Sequence, residues 1–301
     1  MHERRRRCVR LLSVLTFVAF QATLGNSQSA VAAPGDLIAD VSTPEAAMAW
    51  PLGIAKAVAF DGQYLYYAEY AGSVLHRINV PPPGASTATG HIDIPIVGTP
   101  SGVMTIAYDG GRSVFWAVSG DGTAIYVISK TGMATRQFTI NSATGLPGNC
   151  KATPCSAEVK ISYDRVDDTI WYSPDTTRRV YHFQTTGDAL GNGVLVATNP
   201  YVDVDVPPND MSAQCPYGSY VSGIASGGSD LFFENSACNY YFDYTKTGVQ
   251  VAAIPHGILT SGGLACDNVS YSVSVIWMRA GWDGHIYAFE QPGANACVYG
   301  G

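Results

Sequence analysis

The chain has 301 residues, 47% hydrophobic and only 14% charged, with 32 glycines, 18 tyrosines and a formal net charge of −7. An acidic, charge-poor chain lacks the basic face that nucleic acid or an anionic membrane requires. After the first 33 residues no long stretch carries apolar residues at helical period, which leaves short strands and tight turns.

Residues 1–33 read as a secretory signal peptide: MHERRRRCVR is basic, Leu11 to Leu24 is apolar, and Ala30-Val31-Ala32-Ala33 offers small residues for cleavage. The apolar run is too short for a membrane span. Its removal takes Arg4, Arg5, Arg6, Arg7 and Arg10 against Glu3, so the mature chain carries −11. Residues 34–301 suffice for one large β domain. The expected destination is secreted, extracellular or periplasmic, with no membrane span left after cleavage.

The mature chain opens with DLIADVS at 36, and then one plan recurs five times. A small-apolar strand ends near Asp or Gly: AVAFDG at 57, TIAYDG at 105, KISYDR at 160, GIASGG at 223 and GLACDN at 263. An aromatic strand follows: YLYYAEY at 64, SVFWAVS at 113, TIWYSPD at 169, DLFFENS at 230 and VIWMRAG at 275. A third strand ends in most units at a Gly turn, as in AIYVISKTG at 124 and YYFDYTKTG at 240, and a weaker fourth follows in most units. Aligned second strands put Tyr66, Phe115, Trp171, Phe232 and Trp277 in one column and Tyr67, Trp116, Tyr172, Phe233 and Met278 in the next. Adjacent apolar columns mean that both faces of the strand are buried. Radially packed blades do this, so the fold expected is an all-β propeller of five four-stranded blades, with six as the alternative. The last unit lacks a fourth strand. DLIADVS supplies it, and the ring closes by mixing the N- and C-terminal strands, which removes exposed sheet edges.

Two insertions, near 142–158 and 199–221, read as loops between a fourth strand and the next first strand. Six cysteines remain after signal removal, and an even count in an exported chain reads as disulfides. Nearest-neighbour pairing, one of fifteen arrangements, gives Cys150–Cys155, Cys215–Cys238 and Cys266–Cys297. The second would tie an insertion to the face where the B-to-C loops emerge.

In its small-apolar strand, Asp-Gly turn, aromatic strand and I-Y-x-I/F strand, the chain resembles the NHL and YWTD class of β-propellers. The resemblance covers nearly all of the mature chain. It implies the fold but not a function, because this superfold hosts lactonases, lyases, receptor modules and scaffolds. Three departures stand out. No unit has a full YWTD tetrapeptide, the fourth unit has Gly227-Gly228-Ser229 in place of the Asp turn, and Ser226 and Cys266 stand where Phe60, Tyr108 and Tyr163 stand earlier.

The B-to-C loops bring Glu69, Asp175, Glu234, Asn235, Arg279 and Asp283 to one face, the expected ligand-binding face. Glu234 and Arg279 could pair across two blades. Glu69, Asp175 and Asp283 could offer oxygens to a divalent cation such as calcium, although no cofactor is evident. Metallo-hydrolases of this fold take ligands from the entrances of the first strands, which read here Lys56, Thr105, Lys160, Ser222 and Gly263 and are not a metal set. The two lysines are expected to send their heads to solvent. For a general base, His256 and His285 are the candidates, with Glu69 and Glu234 as acid partners. The primary expectation is a module that binds an extracellular small molecule or protein through a loop-rich, stapled face. The alternative is a lactonase or lyase acting at the channel mouth.

Overall fold

A computed structural model describes residues 32–45, 57–140, 159–174, 178–236, 238–258, 260, 262–279 and 283–300. Residues 1–31 of the expected signal segment, the Cys150–Cys155 pair, Asp175 and Lys56 fall outside these residues.

In chain order the strands are β1 (Leu37–Ser42); β2 (Ala57–Phe60), β3 (Tyr64–Ala68), β4 (Val74–Asn79) and β5 (Ile92–Pro95); β6 (Val103–Asp109), β7 (Val114–Ser119), β8 (Ala124–Ser129) and β9 (Ala134–Thr139); β10 (Lys160–Asp164), β11 (Thr169–Ser173), β12 (Arg179–Gly187), β13 (Gly193–Leu195) and β14 (Tyr201–Asp203); β15 (Gly223–Ser226), β16 (Asp230–Glu234), β17 (Tyr240–Thr245) and β18 (Gln250–Pro255); β19 (Leu264–Asp267), β20 (Val275–Arg279) and β21 (His285–Glu290). Each group after β1 is one antiparallel sheet, and β1 pairs with β21 as the outer strand of the last. In blade three the outer edge is split. β13 pairs with one end of β12 and β14 with the other, so part of the 199–221 insertion extends a sheet.

The inner strands β2, β6, β10, β15 and β19 each pack against the next, and β19 packs against β2. Five apolar clusters fill the five spaces between neighbouring blades. The ring is closed, and the chain is a five-bladed β-propeller. Closure needs a close backbone approach, because a β-carbon at Gly263 would lie 2.8 Å from Val58 N.

Strand register explains the repeat. A small residue two positions before each turn stands opposite a large aromatic: Ala59 and Tyr66, Ala107 and Trp116, Ser162 and Trp171, Ala225 and Phe232, Ala265 and Trp277. Phe115 instead faces Tyr108. The expected column that set Phe115 beside Tyr66 is therefore one residue out in the second unit. Three apolar residues in a row give no alternation by which to count.

The turn aspartates serve as buried acceptors. Trp116, Trp171 and Trp277 donate from Nε1 to Asp109 at 3.2 Å, Asp164 at 3.3 Å and Asp267 at 2.9 Å. In blade four the donor and acceptor are lost together, as Phe232 and Gly227. The Lys-Thr-Gly turns clamp blades to one another: Lys130 of blade two reaches Asp61 of blade one at 2.6 Å, and Lys246 of blade four reaches Asp164 of blade three at 2.6 Å.

Candidate binding face and channel

On the axis, the inner strands enclose a cavity of about 30 Å³ lined by Ala59, Ala107, Ser162, Ala225 and Ala265 among others. That is room for about one water molecule.

The lower mouth, on the side of the Asp turns, is crossed by the C-terminal tail. Cys297 is bonded to Cys266, as expected. Buried Gln291 holds the same point, donating to Cys297 O at 2.8 Å and accepting from Cys297 N at 2.9 Å. Beyond it, Val298 N donates to Gly227 O at 3.2 Å and Tyr299 N to Asn268 Oδ1 at 3.2 Å. The Tyr299 ring meets Phe60 edge-on at 5.6 Å, and Gly300 lines the cavity. A β-carbon at Gly227 would stand 2.6 Å from Val298 N. Ser226, Gly227 and Cys266, the departures from the repeat, are thus the places where the tail docks.

The upper mouth holds buried charge. Arg279, at the end of β20, is fully buried; it donates to Ala68 O at 3.1 Å and to the Glu69 carboxylate, and its guanidinium lies 4.4 Å from the centre of the Tyr67 ring. Its partner is thus Glu69 rather than the expected Glu234, because Arg279 reaches forward into blade one. Glu234 is taken by the chain entering blade five: its carboxylate accepts from Thr260 Oγ1 at 2.6 Å and Gly262 N at 3.2 Å. Burial pushes the Glu234 carboxyl up to about 7, while those bonds and the charge of Lys160 pull the other way. Lys160 is fully buried at the start of β10, contrary to the expected solvent-reaching head. Lys160, Glu234, Arg279 and Glu69 come from four successive blades and alternate in sign.

The second insertion is stapled to this face. Cys215 and Cys238 are bonded with Cα atoms 5.3 Å apart, and Asn235 Nδ2 donates to Gly218 O at 2.8 Å. Met211, Cys215 and Val221 join the core between blades three and four. Tyr217, at the tip, is 82% exposed.

The remaining candidates lie away from the inner strands. Asp283 accepts from His285 N at 2.9 Å and Tyr287 Oη at 2.7 Å, which makes it a turn former at the edge of β21. His285 Nδ1 meets Asp40 of β1 at 2.5 Å. His256, just after outer strand β18, is buried against the rings of Tyr241 and Phe289, and burial pulls its imidazole down to about 4. Neither histidine is brought to Glu69 or Glu234. Among the described residues, the group that could hold a metal is Glu45, His76, His91 and Asp93 in blade one. Sequence reasoning missed it. The available signal was that His76 and Asp93 are direct cross-strand partners.

No family model matches the chain, and no curated protein matches it in sequence. Solved structures similar to it include virginiamycin B lyase from Staphylococcus aureus, at 16% identity over 78% of this chain and TM-score 0.40. This chain spans 65% of that lyase, less than two thirds of its length. Glutaminyl cyclase from Myxococcus xanthus is similar at 11% identity, over 85% of this chain and 97% of that one, with TM-score 0.49. A nidogen/laminin complex is similar at 16% identity, over 73% and 88%, with TM-score 0.42. The blade assignment rests on the strand pairing given above. No helix among the described residues is long and apolar enough to cross a membrane.

Proposed function

We propose that the chain is an exported propeller that binds an extracellular ligand or protein through its upper, loop-bearing face. The observation that carries this reading is the state of the channel. Among the described residues, the cavity lined by the inner strands is about 30 Å³, far below the roughly 300–1,000 Å³ of small-molecule sites, and the tail crosses its lower end. The charges at the upper mouth are engaged by the framework, as hydrogen bonds to Thr260, Gly262 and Ala68. What faces outward is a stapled insertion with an exposed aromatic, Tyr217, the residue type that anchors interfaces. Glu69, Glu234, Asn235 and Arg279 then act as the frame that holds this face.

The test is surface binding of the purified chain to fractionated extracellular material, in wild type, Tyr217→Ser and Cys215→Ser/Cys238→Ser forms. A component whose affinity falls about tenfold or more in Tyr217→Ser, with unchanged melting, supports the reading. Lactone hydrolysis or an elimination reaction that disappears in Glu234→Gln would replace it with the lactonase or lyase alternative.

A further inference from the structure

Three side chains of blade one and one from the segment after β1 form a group that the upper face does not use. His76 lies in β4 with Asp93 directly opposite in β5. His91 immediately precedes β5, and Glu45 belongs to the segment that follows β1. His76 Nδ1 is 2.8 Å from Asp93 Oδ1 and 3.2 Å from Glu45 Oε1. His91 Nε2 is 3.0 Å from the same Glu45 oxygen and 3.3 Å from the same Asp93 oxygen. All four atoms lie within 4.8 Å of one another.

Simple two-centre hydrogen bonds use only two of these four close approaches. Each imidazole nitrogen carries at most one proton, yet each faces two carboxylate oxygens. A metal ion satisfies all four lone pairs at one point. With metal–ligand bonds of about 2.0 Å, the ligand atoms of a tetrahedral site stand about 3.3 Å apart; the four nitrogen–oxygen separations, four of its six edges, run here from 2.8 to 3.3 Å, and the other two pairs lie within 4.8 Å. The surroundings are those of a ligand set as well. Buried Tyr67 donates to Glu45 Oε2 at 2.7 Å and stacks on His76 at 4.9 Å, fixing two of the four groups from behind. The Asp93 side chain is 60% exposed, which gives an ion a way in from solvent.

We infer that Glu45, His76, His91 and Asp93 form a tetrahedral site for a zinc-class divalent transition metal. Paired imidazoles with carboxylates suit zinc, whereas calcium takes six to eight oxygens. Four protein ligands leave no open position, so the ion is structural. It ties the segment leaving β1, the strand that closes the ring, to blade one. The tie lies beside the backbone bonds Ser42 N to Ser86 O and Ala88 N to Ser42 O.

The test is to strip the purified full chain with a chelator and titrate it with zinc alone, calcium alone and cobalt(II) alone. About one zinc per chain is expected, with a melting temperature that rises to saturation with zinc and not with calcium. Cobalt(II) should show the intense visible bands of tetrahedral coordination. His91→Ala and Asp93→Asn should each weaken zinc binding about tenfold or more while the stripped proteins melt like stripped wild type. If His91→Ala fails to fold, Asp93→Asn, at an exposed position, carries the test alone. Zinc binding well below one per chain, or binding unchanged by these substitutions, would overturn the proposal.

Discussion

The two mouths of the channel are built by different means. At the lower mouth the closure comes from outside the repeat. A C-terminal tail is bonded to Cys266 and crosses to Gly227 and Phe60, and units four and five have shed bulk to receive it. At the upper mouth the distinctive feature, a run of buried charge, comes from within the repeat. Lys160, Glu234, Arg279 and Glu69 lie at or beside strand ends facing one mouth in four successive blades and alternate in charge. The first arrangement changes the scaffold, while the second changes only side chains. A departure from a repeat pattern therefore marks a docking site more reliably than a loose copy of the repeat.

The contrast can be broken from either side. Cys266→Ser combined with Cys297→Ser releases a cross-link spanning 31 residues. The expected loss is about 3–4 kcal/mol in denaturant unfolding, with binding at the upper face retained. Arg279→Met should lose about 3 kcal/mol, because Glu69 is left partly buried without its cation. Arg279→Lys should recover little of it, since an ammonium cannot span both the Ala68 carbonyl and the Glu69 carboxylate.

The smallest effect concerns pH. Glu234 is raised from 4.5 to about 7, so its stabilising contribution is complete below pH 4.5 and is lost as pH rises through 7. Glu234→Gln should therefore gain about 1–2 kcal/mol over wild type at pH 8, a gain that shrinks towards pH 4.5. His256, lowered from 6.5 to about 4, has the opposite sign: its contribution is present above 6.5 and fades as pH falls through 4. Asp243, raised by burial from 3.8 to about 6, has the sign of Glu234, so Glu234→Gln should flatten, rather than abolish, the fall in stability between pH 4.5 and 7. A Glu234→Gln protein with no pH-dependent gain would show that the upper mouth does not hold a strained carboxyl.

Much of the fold was legible because burial on both faces leaves runs such as TIWYS and VIWMR that no half-exposed sheet would tolerate. Ring closure by DLIADVS followed from the missing fourth strand, and the pairs Cys215–Cys238 and Cys266–Cys297 are those of nearest-neighbour pairing. The site was less legible. The Arg279–Glu69 pair joins residues 210 apart, and which neighbouring blade an arginine reaches is set by its direction around the ring, which a strand pattern does not carry. His76, within a third strand, reads as a packing or edge residue, and His91 stands in no recognised ligand spacing. Ligands drawn from adjacent strands and from the closing segment have no fixed spacing, unlike pairs on a helix face.

The placing of β1 has a consequence for how the chain matures. Asp40 of β1 meets His285 across 245 residues, so β1, the first of the described strands, has no partner until the last blade exists. Until then it is an unpaired ribbon that other chains could extend. Its brevity and its own Asp40 make it a poor template for such growth. Contacts this distant in sequence also form slowly. Completion of the last blade, rather than formation of any earlier one, should set the pace at which a newly made molecule reaches its final shape.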